Sequence, residues 1–179
     1  MKNIIFVTGN KNKFKEADVI LGGVLMQRKY DLDEIQSLDL KKVVEHKVRQ
    51  AYEIYHQPVA VEDVSLEVKG LDNLPGTMIR WFEKLLIDGS GRLDPKTKDR
   101  ATTYKVGYGY FDGKQFQYFE GARKGSVSKR PLGKSDFGFD VIFIPNGQTK
   151  TYAQLGVDFK NKNSARYLAL KKLEKFLQS

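Results

Sequence analysis

Glu62 and Asp63 are consecutive carboxylates that directly follow Val59-Ala60-Val61, a β-branched apolar run introduced by Pro58. Acids at the end of a buried strand are costly unless they serve a metal or a proton transfer. Consecutive strand residues face opposite sides, so the pair predicts two roles rather than one shared role. Glu34, in the acidic stretch Asp31-Leu32-Asp33-Glu34, could supply a second carboxylate. The plain alternative is a solvent-exposed strand end and a surface acidic turn.

The chain opens with a second signal. Ile4-Ile5-Phe6-Val7 is a short apolar run, followed at once by Thr8-Gly9-Asn10, then by Lys11-Asn12-Lys13 and a helical pattern from Phe14. A strand that turns through glycine into a helix brings backbone N–H groups and a positive helix end to the strand's C-terminal edge, where α/β proteins bind phosphate. Thr8 and Asn10 add hydrogen-bond donors and Lys13 a point charge. The spacing matches neither standard phosphate-loop pattern, so an ordinary strand–turn–helix stays open. Further along, Phe137-Gly138-Phe139-Asp140 could stack a planar base and bond its edge, or simply bring core phenylalanines into a strand. In Asn163-Ser164-Ala165-Arg166, Ser164 could cap a helix and Arg166 reach a carbonyl or phosphate.

Composition limits the possibilities. With 179 residues, 40% hydrophobic and 30% charged, the chain predicts one globular domain with a real core. No apolar run approaches a membrane span, and no secretory leader pattern precedes the first strand, so a cytoplasmic protein is expected. The absence of cysteine excludes disulfides, thiolate metal sites and a cysteine nucleophile. Only His46 and His56 are available as imidazoles, so any metal should be a hard cation held by carboxylates. The net charge of +9 suits polyanions, nucleotides among them. The basic residues near the end, from Lys160 to Lys175, read more readily as a solvated helix face than as a nucleic-acid groove.

The elements that must position these residues follow from periodicity. Helices are predicted over 13–21, closed by Gly22-Gly23, over 39–55 with Asp39 as N-cap, over 77–87 and over 163–177. Strands are predicted over 4–7, 24–29, 59–61, 65–68, 125–128 and 141–144, with a hairpin of 101–111 and 114–121 turning at Asp112-Gly113. Leu74-Pro75-Gly76 reads as a turn and 88–98 as a loop. Strands interleaved with helices predict an α/β fold.

Taken in order, Thr8-Gly9-Asn10 with Lys13, Glu34, Lys47, Val61-Glu62-Asp63, Leu74-Pro75-Gly76, Phe137-Gly138-Phe139-Asp140, and Lys160 with Ser164 and Arg166 resemble the inosine triphosphate pyrophosphatase family, also called Ham1 or non-canonical purine nucleotide pyrophosphatases. The resemblance spans essentially the whole chain and extends to Ile79-Arg80-Trp81-Phe82, which looks like the eukaryotic branch. It implies a long twisted mixed β-sheet flanked by helices, two lobes with a central cleft holding the active site, and a homodimer. It implies hydrolysis of the α–β phosphoanhydride of ITP, dITP or XTP to the monophosphate and pyrophosphate. The implied cofactor is Mg²⁺, held by Glu34 with Glu62 or Asp63. Asp63 would orient or deprotonate the water, while Lys13, Lys47 and the Thr8–Gly9–Asn10 turn grip phosphates. Phe137 would stack the base, Asp140 would bond its edge, and Lys160 and Arg166 would approach it, with Gly138, Phe139 and Ser164 in the same binding motifs.

Two departures bear on this reading. The family usually has a hydroxyl residue directly after the acidic pair; here the order is Val64-Ser65. A one-residue shift in a strand moves a side chain to the other face. The family's closing Ser-His-Arg is here Ser164-Ala165-Arg166, so a residue that helps read the purine 6-keto group is missing. Loss of a buried hydrogen-bond partner weakens discrimination. Altered base specificity, a pyrimidine or modified substrate, and nucleotide or nucleic-acid binding without turnover are therefore the competing expectations.

Overall fold

The structure is a computed structural model that describes residues 4–82, 98–135 and 137–178. Its sheet is mixed and seven-stranded, ordered β2-β1-β3-β5-β6-β7, with β4 paired to β3. The strands are β1 (Ile4–Val7), β2 (Leu25–Arg28), β3 (Val59–Val68), β4 (Leu74–Gly76), β5 (Ala101–Phe111), β6 (Phe116–Val127) and β7 (Phe143–Pro145). β1 runs parallel to both β2 and β3, whereas β4 is antiparallel to β3 and β7 to β6. The helices that lie wholly within the described residues are α1 (Lys11–Ile20), α2 (Leu40–Tyr55), α3 (Tyr152–Leu155), α4 (Val157–Asn163) and α5 (Ala165–Gln178). None of the described helices is long and apolar enough to cross a membrane.

The chain forms two compact units. Unit 1 comprises the described residues of Met1–Asp63, Val106–Gly121 and Ala165–Ser179; unit 2 comprises those of Val64–Lys105 and Ala122–Ser164. In unit 1, Leu40, Val44, Val48 and Ala51 of α2 pack on Ile5 and Val7 of β1, Val59 and Val61 of β3, and Phe111. Val44 and Val48 are fully buried, worth about 1.5–3 kcal/mol each. This apolar stripe explains α2, and the Asp39 side chain accepts from the backbone N–H groups of Lys41 and Lys42 at its start. Gly107 and Gly109 of β5 let α2 approach: a Cβ at Gly109 would lie 2.7 Å from Val44 Cγ1. In unit 2, Leu66, Val68, Ile79, Val127, Val141, Ile142, Phe143 and Tyr152 form a separate core.

Several local expectations change. The runs 59–61 and 65–68 are one strand, so Glu62 and Asp63 lie inside β3 rather than at its end. Both acids have cationic partners, which removes the cost that argued for a strand end. Likewise 114–121 and 125–128 merge into β6. Leu74-Pro75-Gly76 is a short strand with a cis Leu74–Pro75 bond, not only a turn. The apolar run at 141–144 splits into a 3-10 turn (Gly138–Val141) and β7. Residues 77–78 form a turn and 79–82 are helical, while 83–87 of the predicted helix and 88–97 of the predicted loop lie outside the described residues. The helices α3 and α4 have no counterpart in the periodicity reading. They are short, and Thr151 starts α3 with a reciprocal capping box to Gln154.

Candidate active site

Alternation along β3 sorts the acidic pair. Val59 and Val61 face α2, and Asp63 continues that face to meet a residue of α2. Lys47 Nζ lies 2.9 Å from Asp63 Oδ2 and 2.8 Å from Glu34 Oε1, so one ammonium gathers two carboxylates from distant parts of the sequence. Burial alone would lower the Lys47 pKa, but the Asp63 charge and the hydrogen bonds to Glu34 and Asp63 outweigh it and raise it above 10.5. Glu34 is the half-exposed member of this trio.

Glu62 turns to the opposite face, where α1 packs beside α5. Its carboxylate is fully buried and takes a donor pair on each oxygen. Oε1 accepts from Arg166 Nη2 at 2.9 Å and faces Lys13 Nζ at 3.1 Å. Oε2 accepts from Arg166 Nε at 2.7 Å and from the Tyr108 hydroxyl. Arg166 Nη1 also donates to Glu16 Oε2 at 2.6 Å. Burial opposes the charged Glu62, yet the Arg166 and Lys13 charges and the hydrogen bonds from Arg166 and Tyr108 hold its carboxyl far below the usual range. Burial, and next the Glu62 charge, push the Tyr108 phenol well above its ordinary value, so it stays a donor.

The first turn is local and well ordered. Asn10 caps α1, its side chain accepting from Asn12 N at 2.9 Å and Lys13 N at 3.1 Å, and Thr8 Oγ1 accepts from Asn10 N at 3.1 Å. Two backbone donors of the helix start therefore already serve the cap. Gly9 is exposed, is not in the left-handed region, and a Cβ there would meet only Lys29 carbons at 3.7 Å or beyond. The fold does not require a glycine at this position.

Unit 2 holds the aromatic group. Lys160 Nζ of α4 donates to Asp140 Oδ2 at 2.8 Å and sits 3.6 Å from the Phe137 ring centroid. Ser135 Oγ donates to the same Asp140 oxygen, also at 2.8 Å, and accepts from Phe137 N. Lys160 and Asp140 are buried. Phe139 packs against the unit 2 core, and Gly138 opens the 3-10 turn that carries Asp140. Ser164 is buried and extended between α4 and α5.

Thus Lys13 with Glu62, and Lys47 with Glu34 and Asp63, come together in unit 1, while Phe137, Asp140 and Lys160 come together in unit 2. Glu62 is separated from the Glu34–Asp63 pair by the pleat. Arg166, expected near a base, holds Glu62 and Glu16. Ser65 is fully buried on β3, and its hydroxyl finds no hydrogen-bond partner among the described residues, whereas Val64 is only half-buried. Glu16, Tyr108 and Ser135 escaped the sequence reading. Glu16 could have been found one helical turn after Lys13, and Tyr108 by the glycines on either side of it.

Among the described residues, no group of three or more His, Cys, Asp or Glu side chains gathers as a metal cage. Two carboxylates converging on one cation do fit Mg²⁺, which takes hard oxygen ligands and is commonly held by one or two carboxylates with substrate phosphates.

A family model described as Ham1 family matches residues 4–176. An inosine triphosphate pyrophosphatase of Scheffersomyces stipitis is 38% identical over the whole of both chains. One of Schizosaccharomyces pombe is 40% identical over all of this chain and 97% of its own length. A dITP/XTP pyrophosphatase of Saccharolobus solfataricus is 33% identical over 97% of this chain and 92% of its own length. The fold resembles that of a HAM1 protein from Coxiella burnetii, with a TM-score of 0.82 at 21% identity over 99% of each chain. It also resembles the Staphylococcus aureus Ham1 protein, with a TM-score of 0.79 at 24% identity over 97% of each.

Proposed function

The chain belongs to the Ham1 family, and on that premise we propose that it is a nucleoside triphosphate pyrophosphatase acting on ITP, dITP and XTP. Water attacks the α-phosphorus, the α–β anhydride breaks, and the monophosphate and pyrophosphate leave. The observation that carries this reading is the Lys47 ammonium between Asp63 and Glu34. A triphosphate brings about four negative charges, so hydrolysis needs neutralisation and in-line positioning more than covalent chemistry. Lys47 supplies one charge and keeps two carboxylates in fixed places. Glu34 and Asp63 would hold Mg²⁺, which when bound neutralises phosphate oxygens. Asp63 orients the attacking water and accepts its proton. Lys13 and the Thr8–Gly9–Asn10 turn, exposed at Gly9 and Asn10, contact phosphate, with Gly9 permitting close approach of the backbone.

Glu62 acts differently from its neighbour. Its four donors support a role in holding Lys13 rather than in binding metal. The contacts of Arg166 support it as the holder of Glu62. For Phe137, Asp140 and Lys160 the proposed role is with the purine: an aromatic face, an acceptor and a donor for the 6-keto oxygen.

A second reading is altered base specificity, favoured by Ala165. It is fully buried at the start of α5, where the family carries histidine. A homodimer and a cytoplasmic location complete the proposal; sedimentation equilibrium at two times the monomer mass would support the dimer.

Pyrophosphate release from ITP, dITP, XTP, ATP, GTP and CTP, with Mg²⁺ and with EDTA, tests the reading. Release from ITP and XTP that stops with EDTA is expected. No release from any nucleotide, together with salt-sensitive binding of single-stranded nucleic acid, would replace it with a non-catalytic binder.

A further inference from the structure

Tyr108 is a buried hydroxyl that the proposed chemistry does not use. It lies between Gly107 and Gly109 on β5, and those glycines accommodate α2 on one face of the strand. Tyr108 itself projects to the other face, with its ring 5.8 Å from Phe6, and is 1% exposed. Its hydroxyl donates to Glu62 Oε2.

Among the described residues, the ion pairs around it join two cations, Arg166 and Lys13, to two anions, Glu62 and Glu16. They balance without Tyr108. A neutral donor can therefore satisfy the last position on Glu62 without upsetting the balance, whereas another lysine there would leave a buried excess charge. Lys13 is also the outermost member, with a side chain 22% exposed against 0% for Glu62. Whatever sets the pull of Glu62 on Lys13 also sets how much of the ammonium is left for a ligand.

We propose that Tyr108 is a positioning residue for triphosphate: its hydroxyl takes up part of the Glu62 charge and so leaves Lys13 able to engage phosphate. The proposal rests on the reading of Lys13 as a phosphate contact. Without the hydroxyl, the Glu62 charge falls on Arg166 and Lys13, its other partners among the described residues, and Lys13 is held harder at the carboxylate. The ring remains, so Tyr108→Phe keeps the packing on Phe6.

Two measurements on wild type, Tyr108→Phe, Glu62→Gln and the double variant decide it. They are calorimetric binding of inorganic tripolyphosphate, and pyrophosphate release from ITP with Mg²⁺. Tyr108→Phe should raise the tripolyphosphate Kd and the KM for ITP about three- to tenfold. Its kcat should stay within about twofold of wild type. The change in Kd should vanish in the Glu62→Gln background, because the charge being shared is gone. An unchanged Kd, a loss confined to kcat, or an equal change with and without Glu62 would overturn the proposal. Should Glu62→Gln not fold, the Kd and the KM-against-kcat split of Tyr108→Phe decide alone. A wild-type protein that binds tripolyphosphate but releases no pyrophosphate defeats the pyrophosphatase reading, and the Kd then decides the role of Tyr108. Failure of wild type to bind tripolyphosphate overturns both.

Discussion

Asp63 and Glu62 are chemical twins with opposite environments, and their variants should fail differently. Asp63→Asn keeps the shape of the side chain but removes the proposed base; kcat should drop about 10²–10⁴-fold with little change in the unfolding midpoint. Arg166→Leu leaves the Glu62 charge buried with fewer partners, which should cost about 3–5 kcal/mol in urea unfolding. Glu62 also carries a pH signature. Its folded pKa lies below the ordinary 4.5, so its stabilising contribution is full above 4.5 and shrinks as pH falls toward the folded value. The stability gap between wild type and Glu62→Gln should therefore narrow progressively below pH 4.5; a gap that widens on acidification would contradict the ion-paired state. At Gly9, where a Cβ meets nothing closer than 3.7 Å, Gly9→Ala should spare the thermal midpoint yet raise the KM for ITP. Equal losses in both would mean that the glycine serves the fold. Ala165→His should raise the ITP-to-GTP ratio of kcat/KM, and an unchanged ratio would count against the specificity role of that position.

At the scale of the element, α2 links packing to chemistry. The same helix that buries Val44 and Val48 carries Lys47 to Asp63, so anything that shifts α2 shifts the ammonium. Gly109→Ala would push on Val44 Cγ1 at 2.7 Å and should cost about 1–3 kcal/mol, measured by thermal unfolding. Because Lys47 rides on that helix, kcat should fall with it. Much of α2 was legible beforehand: its apolar spacing and the Asp39 cap are local, and the predicted bounds differ from the observed ones by one residue. The continuity of β3 was not legible. Two acids interrupt its apolar run, and whether a strand can continue through them depends on Lys47 and Arg166, which are distant in sequence. The helices α3 and α4 escaped because elements of four and seven residues are too short to display a period.

Over the whole molecule, charge is the property that acts at a distance. A net charge of +9 attracts a polyanionic substrate before any contact forms. Raising ionic strength from low salt toward 0.5 M should increase the KM for ITP while changing kcat far less, because screening weakens approach more than it weakens contacts in a desolvated site. A KM independent of salt would restrict the role of the cations to local contacts.

The sequence by itself determined the family, the α/β class, the opening strand–turn–helix and α2, and it supplied the residue types proposed for phosphate, metal and base. Motifs, caps and apolar periods are properties of neighbours along the chain. Only the tertiary structure decided partners. It joined Lys47 to Asp63 and Glu34, turned Glu62 toward Lys13, Arg166 and Tyr108, and buried the Ser65 hydroxyl. The pleat gives adjacent side chains opposite faces, and which helix covers each face is settled by packing between residues far apart in the chain.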